Sequence, residues 1–401
     1  MTLDKTSVCM LLQNPYDADI RVRRKAEALI AAGYEVDVLA LKPPHATSGR
    51  YSLNGVSVQA FSLGKKRGSQ WRYYFEYLSF FFWVLIKLPA LMMKKAYSII
   101  EVNTLPDFLV FAAIYPRWKG AKILFDMHEI TPEFLMSKYG VGAGHWQVRL
   151  ARTLERASFR FADRVITIND PIQRLLAGRG LPLSKSTVIM NSADQSMFPS
   201  FPDIPSAAAR RRKSEEFVFM YHGTLTRIYG LDITLEAFAL ARSRMPAAKL
   251  WIIGDGPEKR PLERLAATLG LESRVRFIGP MLPTEIASWL ACCDVGVLST
   301  RQDVFLDFSF SNKLSEYIIM GKAVIASRLK TIQHYFSEES LAYFEPNQPA
   351  DLARQMVLLY GDGALRDRLA GRAKQEYAPI AWEVMKRRYL GLIETLTGES
   401  G

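Results

Sequence analysis

Lys313 and Glu316 stand three residues apart in the segment 308–327, FSFSNKLSEYIIMGKAVIAS. The segment reads as loop, helix, turn and strand. Ser309, Ser311 and Asn312 are helix-entry residues. Leu314, Tyr317, Ile318 and Met320 form an apolar face, Gly321 stops the helix, and 323–326 is a short buried strand. A helix N-terminus offers unpaired N–H groups and partial positive charge, which suits a phosphate. Lys313 adds a cation in the first turn. Glu316 lies about one turn further on, where a carboxylate can accept two hydrogen bonds from a diol such as ribose. The competing reading makes Lys313 a solvated side chain and Glu316 a dipole-favoured surface residue.

Three other stretches carry candidate chemistry. A strand over 217–221 runs into His222-Gly223-Thr224-Leu225-Thr226-Arg227-Ile228-Tyr229-Gly230 and then a helix, a second phosphate-capable unit. Arg227 supplies the guanidinium fork that a diphosphate favours, unless it is only a surface residue. A strand over 121–125 leads into Asp126-Met127-His128-Glu129. Polar groups at the carboxyl end of a parallel strand sit where doubly wound sheets place ligands. His128 there can contact a substrate sugar or polarise a hydroxyl, and Glu129 is a weaker candidate beside it.

The elements that must position these groups alternate between strand and helix. Strands are expected at 7–12, 36–41, 56–61, 98–102, 121–125, 163–169 and 187–191, and in the later half at 217–221, 249–253, 274–278, 294–299 and 323–326. Helices are expected at 20–32, 147–161, 284–293 and 382–396, among others. Such units imply parallel pairing through helical crossovers. The expected class is α/β, with two doubly wound Rossmann-like domains. The first βα turn lacks G-x-G-x-x-G, which argues against nicotinamide or flavin. The expected division is 1–195, a proline- and arginine-rich linker 196–215, a second domain 216–375, and a closing helix 376–401.

A chain of 401 residues is too long for one ordinary core. Cys9, Cys292 and Cys293 make no metal or disulfide framework, which fits buried thiols in a reducing compartment. The start shows no signal-peptide pattern. Residues 1–200 hold 26 Lys and Arg against 16 Asp and Glu, so most of the net charge of +12 lies there. That field suits an anionic membrane or phosphorylated acceptor, and no nucleic-acid motif accompanies it.

Residues 71–93, WRYYFEYLSFFFWVLIKLPALMM, form an unusually apolar helix. Arg72, Glu76, Ser79 and Lys87 fall near one stripe, and Pro89 should kink or end it. Two readings are open: a helix buried on two sides, or one lying in a bilayer surface with basic residues outside it. The membrane-facing segment in the second reading is 71–95.

The 308–327 segment, with IIGDGP at 252–257 and RVRFIG at 274–279, resembles the C-terminal half of family-4 retaining glycosyltransferases. Asp19-x-Arg21, the His-Glu pair at 128–129 and ADRVIT at 162–167 resemble the first half. The resemblance implies the GT-B fold, with a cleft between two domains and a UDP- or GDP-sugar donor, and it names no other cofactor or metal. It further implies that Gly223, Arg227, Gly254, Ser311, Asn312, Lys313, Leu314 and Glu316 hold the nucleotide. His128, Arg227 and Lys313 would be the catalytic groups. Asp19, Arg21 and Glu129 would face the acceptor, a glycan or a lipid-linked glycan. The usual earlier glutamate, eight positions before Glu316, is Phe308 here, so that contact is missing or moved to Asp303 or Asp307. The expected location is cytoplasmic, peripheral at the inner face of the plasma membrane. Two rival functions share the fold: a non-catalytic sugar-nucleotide or lipid binder, and a sugar-nucleotide epimerase.

Overall fold

The structure is a computed structural model, and it describes residues 6–44, 48–63, 70–198 and 215–398. Residues 65–67, expected from the sequence as a basic turn, and most of the expected linker lie outside them. The chain forms two compact units, residues 1–190 with 385–401, and residues 191–384.

The first unit is built on an eight-stranded sheet. Its strands are β1 (Ser7–Pro15), β2 (Glu35–Leu41), β3 (Arg50–Leu53), β4 (Val56–Phe61), β5 (Ile99–Asn103), β6 (Lys122–Met127), β7 (Arg164–Thr167) and β8 (Ser186–Val188), in the order β3-β4-β2-β1-β5-β6-β7-β8. All neighbours are parallel except the β3–β4 hairpin, of which only β4 was among the expected strands. The helices are α1 (Ile20–Ala31), α2 (Gln70–Met92), α3 (Ile114–Trp118), α4 (Thr131–Tyr139), α5 (Trp146–Phe161) and α6 (Asp170–Ala177). Strand order reverses between β1 and β5, which makes their carboxyl ends the natural ligand crevice.

α2 bears directly on the two sequence readings of this segment. It passes Pro89 and ends at Met92, because the proline removes only one bond near the end of the helix. Glu76, Phe80, Val84 and Leu88 are buried at four-residue spacing, and Arg72 pairs with Glu76 at 3.0 Å. The opposite face shows Phe75, Leu78, Phe82 and Ile86 to solvent. Only 22% of the stretch Tyr74–Met92 is buried, so burial on two sides is excluded. Of the cysteines, Cys9 and Cys293 are buried and Cys292 is half-buried.

The second unit holds β9 (Phe217–His222), β10 (Ala248–Ile253), β11 (Val275–Ile278), β12 (Val295–Leu298), β13 (Ala323–Ser327) and β14 (Ala342–Phe344), all parallel, in the order β11-β10-β9-β12-β13-β14. Here the order reverses between β9 and β12. The helices are α7 (Leu231–Ala241), α8 (Lys259–Thr268), α9 (Pro283–Cys292), α10 (Asn312–Ile319), α11 (Lys330–Tyr335), α12 (Pro349–Gly361) and α13 (Gly363–Tyr377). Phe219, Leu235, Phe238, Leu250, Val297 and Met356 are fully buried in its core. The last helix, α14 (Trp382–Thr397), has Met385 onward in the first unit. There Tyr389 donates to Glu101 Oε2 at 2.5 Å, and the Met190 amide donates to the Met385 sulfur.

Candidate functional site

In the second unit the candidate residues gather at the carboxyl end of β9, at the switch point. Two glycine turns meet there. A Cβ on Gly254 would strike the Gly223 carbonyl, so that position excludes any larger residue, and one on Gly223 would displace the end of the Lys313 side chain. Their φ angles, +138° and +121°, also lie where side chains are disfavoured.

Lys313 leans over Gly223 into this turn. Its Nζ lies 3.9 Å from the centre of the Tyr229 ring and 5.5 Å from that of Tyr221. It makes no salt bridge among the described residues. Burial draws its pKa down from 10.5 to about 8, against the pull of the Glu316 carboxylate. The helix behind it is left open at its start. Ser311 makes no side-chain capping bond, and the Asn312 Oδ1 and Ser315 Oγ atoms are buried without partners. Leu314 is different: its side chain is in the core and its amide donates to the Ser311 carbonyl at 3.0 Å, so neither is open to a ligand.

Glu316 is held by a residue that sequence reasoning did not single out. His222, the last residue of β9, donates from Nε2 to Glu316 Oε2 at 2.5 Å. Its Nδ1 faces the Tyr317 hydroxyl at 3.0 Å, and that hydroxyl donates to the Met220 carbonyl at 2.7 Å. Tyr317 is itself fixed by packing on Gly296 of β12, where a Cβ would come within 2.6 Å of its ring. One Glu316 oxygen is thus engaged within the protein, which leaves Oε1 for a ligand. His222 was open to discovery, because it ends a parallel strand just as the 121–125 strand runs into His128.

Arg227 is exposed, in the 3-10 turn Arg227–Tyr229 whose last ring carries Lys313. Arg301 fixes that turn: its Nε donates to the Arg227 carbonyl at 3.1 Å, and its other nitrogens pair with Asp232 and reach Asn347 at 3.2 Å. The two aspartates considered as stand-ins for the missing glutamate are both engaged locally. Asp303 caps the amides of Phe305 and Leu306, and Asp307 is buried against Gln302 and Lys330.

In the first unit, His128 lies past the end of β6, above a buried polar network. Lys25 of α1 donates to Glu101, Asp126 and, at 3.1 Å, Asn103, so all three of its protons are used. Burial pushes the Asp126 carboxyl up, but Lys25 and His128 outweigh it and hold the group well below the usual range. His128 Nε2 donates to that carboxylate at 2.9 Å, and its amide donates to Thr104 Oγ1 at 3.0 Å. This fixes the ring and leaves Nδ1 buried with no partner. Sequence reasoning missed Lys25, Glu101 and Asp126, although a glutamate inside the apolar strand SIIEV already demanded a buried cation.

Asp19 and Arg21 are within electrostatic reach of the same imidazole or its neighbour. Asp19 caps α1 through the Arg21 and Val22 amides and grips the Arg21 guanidinium at 3.2 Å. Burial raises the Asp19 pKa, and Arg21 and then His128 more than reverse that. Burial raises Glu129, tempered by Arg21, His128 and Lys138. Asp19 is therefore a cap first, and Arg21, half-exposed beside it, is the group left to meet a ligand. Among the described residues no three His, Cys, Asp or Glu side chains gather as a metal site requires.

Comparison with known proteins places the chain in a family. Residues 18–192 match the glycosyl transferase 4-like domain, and residues 216–362 match the glycosyl transferases of group 1. The lipopolysaccharide core biosynthesis glycosyltransferase LpsE of Rhizobium meliloti is 30% identical over 178 residues, 44% of this chain and 49% of that protein. The chain thus spans about half the length of the curated relatives it matches first. Sucrose-phosphate synthase of Thermosynechococcus elongatus superposes with a TM-score of 0.79 at 20% identity, covering 99% of this chain and all of that one. HepE of Anabaena, solved with UDP, gives 0.74 at 17% identity over 97% of this chain and all of its own. With one family model on each unit, the chain belongs to the glycosyl transferases of group 1 and the 4-like kind, and the superpositions show the GT-B fold.

Proposed function

We propose that the protein is a retaining glycosyltransferase. It moves a sugar from a nucleoside-diphosphate sugar, UDP- or GDP-linked, to an acceptor hydroxyl in the assembly of a cell-surface polysaccharide or lipid-linked glycan. The observation that carries this reading is Lys313, a largely buried ammonium set against an aromatic ring at a helix start, with no salt bridge among the described residues. Such a cation lacks only its anion. The names of LpsE and of the UDP-bound HepE structure support the substrate class.

In this reading the diphosphate sits between the start of α10, Lys313 and Arg227, and Glu316 Oε1 accepts from the ribose hydroxyls. The bond from the anomeric carbon to the phosphate oxygen breaks, and the acceptor oxygen bonds to the same face. The acceptor proton passes to the departing phosphate. The charge that develops on the leaving group meets fixed dipoles and cations, so the step needs neither a protein nucleophile nor a metal. Within the first unit, His128 Nδ1 accepts a hydrogen bond from an acceptor hydroxyl, and Arg21 and Glu129 contact the acceptor. Sugar-nucleotide turnover in Lys313→Ala and Glu316→Ala tests the site, and near-normal rates in both would refute it.

The exposed face of α2 supports a peripheral position on an anionic bilayer at the cytoplasmic side. Phe82 and Ile86 are 55% and 75% exposed, and α3, packed against α2, shows Trp118 with Lys119 over its ring. Co-sedimentation with anionic vesicles, weakened by salt, is expected. Failure to sediment at low salt would discard the membrane position and leave the transfer reaction standing.

A further inference from the structure

The first unit contains an apolar cavity of about 140 Å³ that neither candidate site uses. Tyr74 and Tyr77 of α2, Phe108, Phe134 of α4, and Leu150 and Leu154 of α5 wall it. Its size matches the ~150 Å³ engineered cavity that stays dry and admits a benzene ring. Of its lining residues Tyr74, Lys138 and Leu150 are exposed, so the cavity is reached from the surface of this unit.

The polar groups at the cavity decide what kind of molecule fits. Lys138, exposed at the rim, lies 5.2 and 5.3 Å from the centres of the Phe134 and Tyr139 rings. It is also within electrostatic reach of Glu129, next to His128. At the floor, both Asp107 oxygens lie 3.0 Å from the Thr131 hydroxyl, and burial pushes that carboxyl up to about 7. A rim cation and a floor carboxyl held near neutrality disfavour a cationic guest in the aromatic walls. They favour an uncharged hydrocarbon with an anionic group where it leaves the cavity.

We propose that this cavity receives the end of the alkyl or isoprenyl chain of an amphiphilic acceptor, with the anionic head of that molecule at Lys138. The inference rests on the glycosyltransferase reading for the word acceptor, and on the cavity alone for the chain. The head at Lys138 would place the remainder of the molecule on the side of Glu129 and His128, the residues assigned to substrate hydroxyls.

The test titrates the full chain with decyl phosphate below its micelle concentration, by calorimetry, with inorganic phosphate as the head-only control. Saturable binding of decyl phosphate and none of phosphate is expected. Ala151 lies in the cavity wall, and Ala151→Phe fills the space. It should weaken decyl phosphate at least about tenfold while leaving UDP or GDP affinity and the melting temperature in place. If Ala151→Phe fails to fold, Ala151→Leu gives the same direction with a smaller effect. Lys138→Gln should weaken decyl phosphate severalfold. The proposal is overturned if decyl phosphate does not saturate, or if the filled variant binds it as the parent does. Saturable chain binding without turnover of any sugar nucleotide would remove the glycosyltransferase reading and keep the pocket. Sugar transfer to a soluble acceptor without chain binding would do the reverse. Sedimentation with phosphatidylglycerol vesicles unchanged by Ala151→Phe would assign membrane contact to the α2 surface, apart from the cavity.

Discussion

Raising the pH through the titration of Lys313 should strengthen the fold and weaken the donor complex at the same time. Burial lowers the lysine pKa to about 8, and unfolding returns it to about 10.4. Across that window the unfolded chain holds the proton more tightly than the folded one, so stability rises with pH. The whole effect is about 3 kcal/mol, complete once the pH exceeds the unfolded value. A diphosphate requires the charged ammonium, so its binding has the opposite slope. Affinity should be nearly constant below about pH 7.5 and fall up to about tenfold per pH unit above about 8. The terminal phosphate of UDP or GDP, with a pKa of about 6, is already ionised there and contributes no slope. Calorimetric titration of the nucleotide at steps from about pH 7 to about 9.5 reads the curve directly. Lys313→Arg keeps a charge that does not titrate, so its curve should be flat in this range. A flat wild-type curve, or the same slope in Lys313→Arg, would refute the assignment of the anion seat to this lysine.

Other perturbations read other parts of the molecule. Tyr389→Phe removes the hydroxyl that donates to buried Glu101, and should cost about 1–3 kcal/mol in urea unfolding with nucleotide affinity unchanged. Gly254→Ala pushes a methyl group into the Gly223 carbonyl, and should lower stability by about 1–3 kcal/mol and weaken nucleotide binding together. Asp107, whose folded pKa is raised to about 7 by burial, keeps a proton that the unfolded chain has lost, so stability should fall as pH rises from about 4 to 7. Asp107→Asn should flatten that decline and gain about 1–3 kcal/mol at neutral pH, measured by denaturant titration. A steeper decline in the variant would contradict the burial argument.

Much of the scaffold is legible in local pattern. Buried parallel strands such as VFMY and LWII announce themselves as apolar runs, and 310–327 carries its own helix start, stop and strand. Lys313 and Glu316 are legible for the same reason, since three residues of helix place them on one face. β3 was not, because Arg50–Leu53 is a half-exposed edge strand with little apolar signal, although its partner at 56–61 was expected. Of the two outcomes expected at Pro89, an end of the helix did not occur, because a proline so near the terminus costs one bond that packing of the preceding row outweighs.

The amino-acid order by itself determined the alternation of strand and helix, the phosphate-suited turns at strand ends, and the candidate cations among them. Those features depend on neighbours within a turn or two. Only the tertiary structure decided that His222 holds Glu316 across 94 positions, that Tyr229 receives the Lys313 charge, that Lys25 joins Glu101 and Asp126, and that α2 turns its apolar row outward. Each of these follows from which strands lie side by side at the switch points. Strand order is a property of how the whole sheet closes its core, and no local window contains it.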